Sequence, residues 1–311
     1  MPGWFQGLLG PGTVGAGGAV GLDGRVQDLV IEVREPYARA ALVHLLTLAC
    51  VPGVESLVEG VYARTLRLEH GPARVEVRPL LSEPGTVRCG YDGHPVDLAA
   101  ATARLAALVD AGHDPEPVDA ALAGHPLLAP LVRATPGLRV HTDPDVFEVA
   151  VRTVIGQQVS VAGARTLTSR MVTAVGTPVH LGKGLTHLFP TPEQVAATAP
   201  EDLAMPRSRG RALVGLARAV AEGEVDLRAP DARARLLALP GIGPWSVDHV
   251  AMRSLGDPDV FLPTDIGVRR AADRLGTNLP GVVAASEAWR PWRSYALAHL
   301  WLVATTVGAP A

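Results

Sequence analysis

The rhythm of apolar and polar positions changes near residue 97, and the change divides the chain. Before it, LVIEVRE (29–35) alternates as a half-buried strand does. PYARAALVHLLTLA (36–49) reads as a helix with Pro36 in its first turn. Three β-prone runs follow: ARTLRLE (63–69), ARVEVRPL (73–80) and TVRCGY (86–91). His70-Gly71-Pro72 and Glu83-Pro84-Gly85 break them with turn-forming residues. These elements predict a small α+β unit over 25–95, a helix on an antiparallel sheet. After residue 97 the pattern is helical. LAAATARLAALVDAG (98–112) is an Ala/Leu helix. Asp143-Pro144 opens another, with Phe147, Val151, Val154 and Ile155 on one face. Thr191-Pro192-Glu193-Gln194 has the form of a capping box. Residues 1–24 are Gly-rich and read as a mobile tail or a misassigned start. No internal repeat is evident.

Composition narrows the class. The 311 residues suit about two domains, and 48% hydrophobic residues exclude wholesale disorder. No apolar run reaches the length of a membrane span, and MPGWFQGLLG lacks the charged start of a secretory signal. Cys50 and Cys89 are too few for a disulfide framework or a four-cysteine metal cluster. A cytoplasmic protein is expected. The net charge of −3 hides a division. Residues 1–145 carry 11 Arg and no Lys against 17 acidic residues, a net of −6; residues 146–311 carry 16 Arg and one Lys against 14, a net of +3. A basic half can hold a polyanion that the acidic half avoids.

The most informative stretch is DARARLLALPGIGPWSVDHVAMRSLG (231–256). A short helix ends at Leu239, Pro240-Gly241-Ile242-Gly243 turns tightly, and Pro244 starts a second helix that stops near Gly256. The glycines allow positive φ and close approach of another backbone. Free N–H groups at Gly243 and just beyond, with the positive end of the helix dipole, form a phosphate site that needs no Lys. An αα-hairpin with a Gly turn and no ligand is the plainer alternative. Asp265 lies 22 residues after Gly243, behind Pro263 and Thr264, with Thr264 as the expected N-cap. In a first helical turn its carboxylate is stabilised in the charged form, so it is expected to be ionised at neutral pH. A first-turn Asp present only for capping is the alternative.

The hairpin L-P-G-I-G, continued by DPDVFLPTDIGVRR, resembles the helix-hairpin-helix of the DNA glycosylase superfamily (HhH-GPD). FEVAVRTVIGQQVSVAGARTL (147–167) resembles the AlkA-type branch, DNA-3-methyladenine glycosylase II. The resemblance covers about 27–308, strongly from 146 to 305 and by topology alone in the N-terminal unit. It implies an α+β fold: a TATA-binding-protein-like antiparallel sheet domain followed by two all-helical subdomains with a cleft between them. One subdomain would join 96–145 to 257–311 and carry the catalytic Asp; the other, 146–256, would carry the hairpin.

The same resemblance assigns roles. Asp265 would stabilise the oxocarbenium-like state of glycosidic cleavage. Trp245, Trp301 and His249 would wall the base pocket; Trp289 and Trp292, to which it gives no role, read as core packing. Gln158, with Gln157, would fill the gap left by the extruded base. Gly241, Gly243 and Ser246 would grip phosphate through backbone amides. The carbonyls of Leu237, Leu239 and Ile242 would hold sodium or potassium when DNA is bound, with no other cofactor required. Relatives that also cut the strand use a hairpin Lys; Trp245 occupies that position, and the chain's one lysine is Lys183. An iron–sulfur cluster would need four cysteines. The resemblance thus implies a monomeric, monofunctional enzyme that releases alkylated purines such as 3-methyladenine and 7-methylguanine from double-stranded DNA, with no membrane partner. His249 and Leu302 stand where Tyr is common, which leaves the substrate range open. The alternatives are a glycosylase for other damaged or mismatched bases, a non-catalytic helix-hairpin-helix DNA-binding protein, and an unrelated helical protein.

Overall fold

A computed structural model describes residues 26–306. The Gly-rich segment expected to form a tail lies outside the described residues. The N-terminal unit contains β1 (Gln27–Glu32), α1 (Arg39–Ala49), β2 (Glu55–Val58), β3 (Val61–Leu68), β4 (Gly71–Arg78) and β5 (Thr86–Asp92). The strands form one antiparallel sheet in the order β1-β5-β4-β3-β2. Period-two alternation sets which side chains share a face. Tyr62 opposes Val77 and Leu66 opposes Ala73, while Val77 opposes Cys89 and Val75 opposes Tyr91. These residues form one core with Leu42 and Leu46 of α1 and with Ala101, Leu105 and Leu108 of the next helix, α2 (Leu98–Leu108).

Three local expectations change. The sheet unit does not stop at 95, because α2 buries its apolar face on the sheet and not among the later helices. Pro36 lies outside α1, which starts at Arg39: Ala38 N donates to Gly137 O at 3.1 Å, which ties the segment before the helix to that glycine. A Cβ on Gly137 would come 1.9 Å from the Pro36 carbonyl oxygen, so that crossing requires glycine. β2 was not foreseen, since four residues are too few for a readable alternation.

The helical part contains α3 (Pro115–Ala123), α4 (Ala129–Ala134), α5 (Val146–Gly156) and α6 (Val161–Val175). A small hairpin of β6 (Thr177–Pro178) and β7 (His187–Leu188) follows. It lies against the sheet, where Arg74 donates to Leu181 O and Thr65 to His187 O. Then come α7 (Pro192–Ala196), α8 (Arg207–Ala221), α9 (Ala232–Ala238), α10 (Pro244–Leu255), α11 (Ile266–Arg274), α12 (Leu279–Ala285) and α13 (Arg293–Thr305). Both bonds of the Thr191 capping box are made at the start of α7. Among the described residues, no helix is long and apolar enough to cross a membrane.

Two further cores organise these helices. One gathers α5, α8 and the hairpin residues Leu236, Ile242, Val247 and Val250. The other joins α3 and α4 to α11, α12 and α13, with Trp289 at 2% exposure. Two helices connect the cores. α10 gives Val247 and Val250 to the first and Ala251 and Met252 to the second. α1 gives Leu42 and Leu46 to the sheet and Ala41 and Leu45 to the C-terminal helices. The cleft between the helical cores is therefore bounded by elements whose own positions are fixed by packing.

Candidate active site

The hairpin between α9 and α10 closes through Ile242 N, which donates to Leu239 O at 3.1 Å. Gly241 sits at φ +86°, and a Cβ there would lie 2.6 Å from that of Ala212. Gly243 is the N-cap of α10, and a Cβ on it would meet nothing within 4 Å. The amides of Gly241, Gly243 and Trp245 donate to no group among the described residues. They form a cluster of free N–H donors at the positive end of a helix.

Ser246 does not belong to that cluster. It is buried, its N–H donates to Gly243 O at 3.0 Å, and its hydroxyl receives Gln157 Nε2 at 3.1 Å. The same Nε2 donates to Gly241 O at 3.0 Å. The two expected wedge residues therefore separate: Gln157 braces the hairpin from the end of α5, whereas Gln158 is exposed at φ +56° in the turn before α6. Among the described residues, the carbonyl oxygens of Leu237 and Ile242 accept no hydrogen bond, and that of Leu239 accepts only Ile242 N. Three such oxygens are a fitting donor set for a hard monovalent cation.

Asp265, not the exposed Thr264, is the N-cap of α11. Its Oδ1 accepts Gly267 N at 2.8 Å, Val268 N at 3.2 Å and Trp301 Nε1 at 2.9 Å. Its Oδ2 accepts Trp245 Nε1 at 3.2 Å. The carboxylate is thus held by two helix amides and two indoles from different helices. Gly267 makes this possible, because a Cβ there would come 2.7 Å from Trp301 Cδ1. The residue is 9% exposed and makes no ion pair among the described residues. Oδ1 is crowded with donors and Oδ2 has one, so Oδ2 is the oxygen with free acceptor capacity.

Asp265, Trp245, His249 and Trp301 line one cavity of about 290 Å³, close to the size of a small-ligand pocket. Leu45 and Leu48 of α1 and Val149 of α5 add apolar lining. The His249 ring stacks on Trp245 at 5.1 Å between centroids and tilts toward Trp301 at 6.1 Å. Its Nδ1 lies 2.9 Å from Thr153 Oγ1. Burial, reinforced by the Arg253 charge, pushes the imidazole down to about 3, so the ring is neutral. Stacking and a satisfied ring nitrogen thus occur together at His249. Trp289 is core, while Trp292 is half-buried against His113 and Tyr295. Leu302 is half-buried on the C-terminal core.

The sequence did not reveal the polar floor of the cavity. Arg152 and Arg253 reach it, and both bind Asp143, which also takes Arg64 Nη1 at 2.9 Å. Arg64 is 1% exposed and pairs with Glu148 at 2.6 Å; Arg152 pairs with Glu148 at 3.0 Å and Glu55 at 3.2 Å. Three guanidinium groups meet three carboxylates here, where sheet, α5 and α10 converge. The one available signal was Glu148 within the apolar run of α5. Glu55, Asp143 and Glu148 also have the spacing of a metal site, but the guanidinium groups already occupy their oxygens. Arg165 and Arg270 also line the cavity, from α6 and α11. Neither has a carboxylate partner among the described residues.

Comparison with known proteins identifies the family. A family model described as the AlkA N-terminal domain matches residues 28–145, and one described as HhH-GPD superfamily base excision DNA repair protein matches 151–292. The chain is 43% identical over 283 residues to a Mycobacterium tuberculosis (strain H37Rv) protein named "Probable bifunctional transcriptional activator/DNA repair enzyme AlkA". That match covers 88% of this chain and 56% of the relative, so the chain spans little more than half the relative's length. It is 32% identical over 284 residues to DNA-3-methyladenine glycosylase 2 of Escherichia coli (strain K12), covering 86% of this chain and 94% of that protein. The fold matches that of the 3-methyladenine DNA glycosylase from Archaeoglobus fulgidus with a TM-score of 0.76 at 24% identity, over 88% and 97% of the two chains. With the hairpin, the helix-capping aspartate and both matched domains in sequence, the chain belongs to the AlkA family of the HhH-GPD base excision DNA repair superfamily.

Proposed function

We propose that the protein is a monofunctional DNA glycosylase that hydrolyses the N-glycosidic bond of alkylated purines turned out of double-stranded DNA. The observation that carries this reading is the Asp265 carboxylate, fixed by four N–H donors in the wall of a cavity walled by indoles. Each donor stabilises negative charge on the side chain. Cleavage leaves positive charge on the deoxyribose. A carboxylate about 4 Å from that charge contributes roughly 4 kcal/mol at an effective dielectric of 20. That corresponds to about a thousandfold in rate. Oδ2, with its free acceptor capacity, is the oxygen suited to face the sugar or to orient the attacking water.

The aromatic wall favours a cationic base. A purine methylated at N3 or N7 is positively charged, and a cation over an indole face gains about 0.5–2 kcal/mol. Its glycosidic bond is already weakened, so a site with one free carboxylate and a neutral His249 suffices without a general acid. The free amides of Gly241, Gly243 and Trp245 suit a DNA phosphate, with the carbonyls of Leu237, Leu239 and Ile242 holding a sodium or potassium ion beside it. That ion would supply only charge neutralisation. Gln158, exposed at the turn before α6, would fill the gap in the duplex. Lys183 pairs with Glu76 at 3.4 Å on the sheet, and Trp245 stands in the hairpin, so no amine side chain serves a strand-cutting route. The enzyme would act in the cytoplasm as a monomer.

The test is chromatography of the bases freed from dimethyl-sulfate-treated DNA. Release of 3-methyladenine and 7-methylguanine as free bases is expected. Binding of that DNA without any base release would establish the alternative, a non-catalytic DNA-binding protein.

A further inference from the structure

The hydrogen bonds around Thr153 determine what His249 offers the cavity. Thr153 Oγ1 lies 2.7 Å from the Val149 carbonyl oxygen and 2.9 Å from His249 Nδ1. A hydroxyl has one proton, and a carbonyl oxygen can only accept. The hydroxyl proton therefore goes to Val149, and toward His249 the Thr153 oxygen can only accept. Nδ1 then carries the imidazole proton and Nε2 carries the lone pair. Burial keeps the ring neutral, so Nε2 remains an acceptor at neutral pH.

The surroundings leave that acceptor for a ligand. One face of the ring is covered by Trp245, and His249 lines the cavity. Nε2 has no partner among the described residues. Both neighbouring indole N–H groups are directed at Asp265, and the carboxylate oxygens of Asp143 are taken by Arg64, Arg152 and Arg253. Beside the tryptophans, this nitrogen is an acceptor left uncommitted among the described residues.

We propose that His249 Nε2 accepts a hydrogen bond from the exocyclic amino group of the extruded purine, so that the site selects amino-bearing bases. Thr153 is the positioning residue that holds the required tautomer. This inference rests on the glycosylase reading above and adds the chemical feature the pocket recognises.

Oligonucleotides carrying 7-methylguanine or 7-methylhypoxanthine provide the test, since the two bases share charge and bond weakening and differ in the 2-amino group. The wild-type protein is expected to prefer 7-methylguanine by about tenfold in kcat/KM, the value of one hydrogen bond. His249→Phe keeps the stacking surface and should erase the preference by slowing 7-methylguanine release alone. His249→Gln, which places an amide oxygen near the Nε2 position, should retain it. Thr153→Val should reduce it. An unchanged preference in His249→Phe, an equal fall on both substrates, or loss of the preference in His249→Gln would overturn the inference while leaving the glycosylase reading standing. Release of neither base by the wild-type protein would overturn both.

Discussion

The Trp301 indole N–H donates to Asp265 Oδ1 at 2.9 Å, which joins the last helix to the first turn of α11. A residue read from sequence as an aromatic wall therefore also orients the carboxylate. Trp301→Phe keeps an aromatic ring and removes the N–H. A hydrogen bond to a charged group is worth about 1.5–3 kcal/mol. The single-turnover rate of base release should fall roughly 10- to 100-fold, with DNA affinity nearly unchanged. An unaltered rate would show that the indole only packs.

The two hairpin glycines should respond differently to the same substitution. Gly241→Ala forces a side chain onto φ +86° and against Ala212, at a cost of about 1–3 kcal/mol. Thermal melting should register it as a lower Tm. Gly243→Ala meets no neighbour within the protein, so Tm should hold while DNA affinity falls. If Gly243→Ala binds DNA as tightly as the wild type, the free amides of the hairpin do not face phosphate. Affinity should also weaken steeply as salt rises.

Asp110 gives a pH signature away from the site. Burial pushes its carboxyl up to about 7, against the opposing charge of Arg139, and it accepts Tyr295 Oη at 3.1 Å. The unfolded carboxyl titrates near 4. Between about pH 4 and pH 7 the folded state holds a proton that the unfolded state has lost, so stability falls as pH rises through that window. Asp110→Asn removes the penalty, and asparagine tolerates the φ of +53°. Its Tm should exceed that of the wild type at pH 8 and match it at pH 4. Equal Tm values at pH 8 would contradict the raised carboxyl.

Much of the site is legible in one short stretch of chain. Leu-Pro-Gly-Ile-Gly and the Asp 22 residues later are local signals, because a turn and a helix cap are set by neighbours in sequence. Even there, Thr264 was mistaken for the cap, since hydroxyl and carboxylate side chains suit that position equally well. The floor of the cavity was not legible. Arg64, Glu55, Asp143, Glu148, Arg152 and Arg253 meet from four separate segments, and each but Glu148, which sits in an apolar run, resembles a solvated charge. The division between Gln157 and Gln158 depends on a positive φ that a two-residue polar pair does not announce. Membership of α2 in the sheet core was hidden for a similar reason: an Ala/Leu face packs equally well on strands or helices.

Borohydride trapping addresses the route of cleavage. With Trp245 in the hairpin and Lys183 paired to Glu76, no covalent protein–DNA adduct should form during base release. A trapped adduct would show that an amine attacks the sugar and would contradict hydrolysis by water.

The most direct measurement of the central claim is the single-turnover release of 7-methylguanine by Asp265→Asn, compared with wild type at saturating enzyme. Asparagine retains the cap and the size of the side chain and removes its charge. A fall of about a thousandfold, with DNA binding retained, is the predicted result. Release within a few fold of the wild-type rate would mean that the carboxylate does not stabilise the transition state.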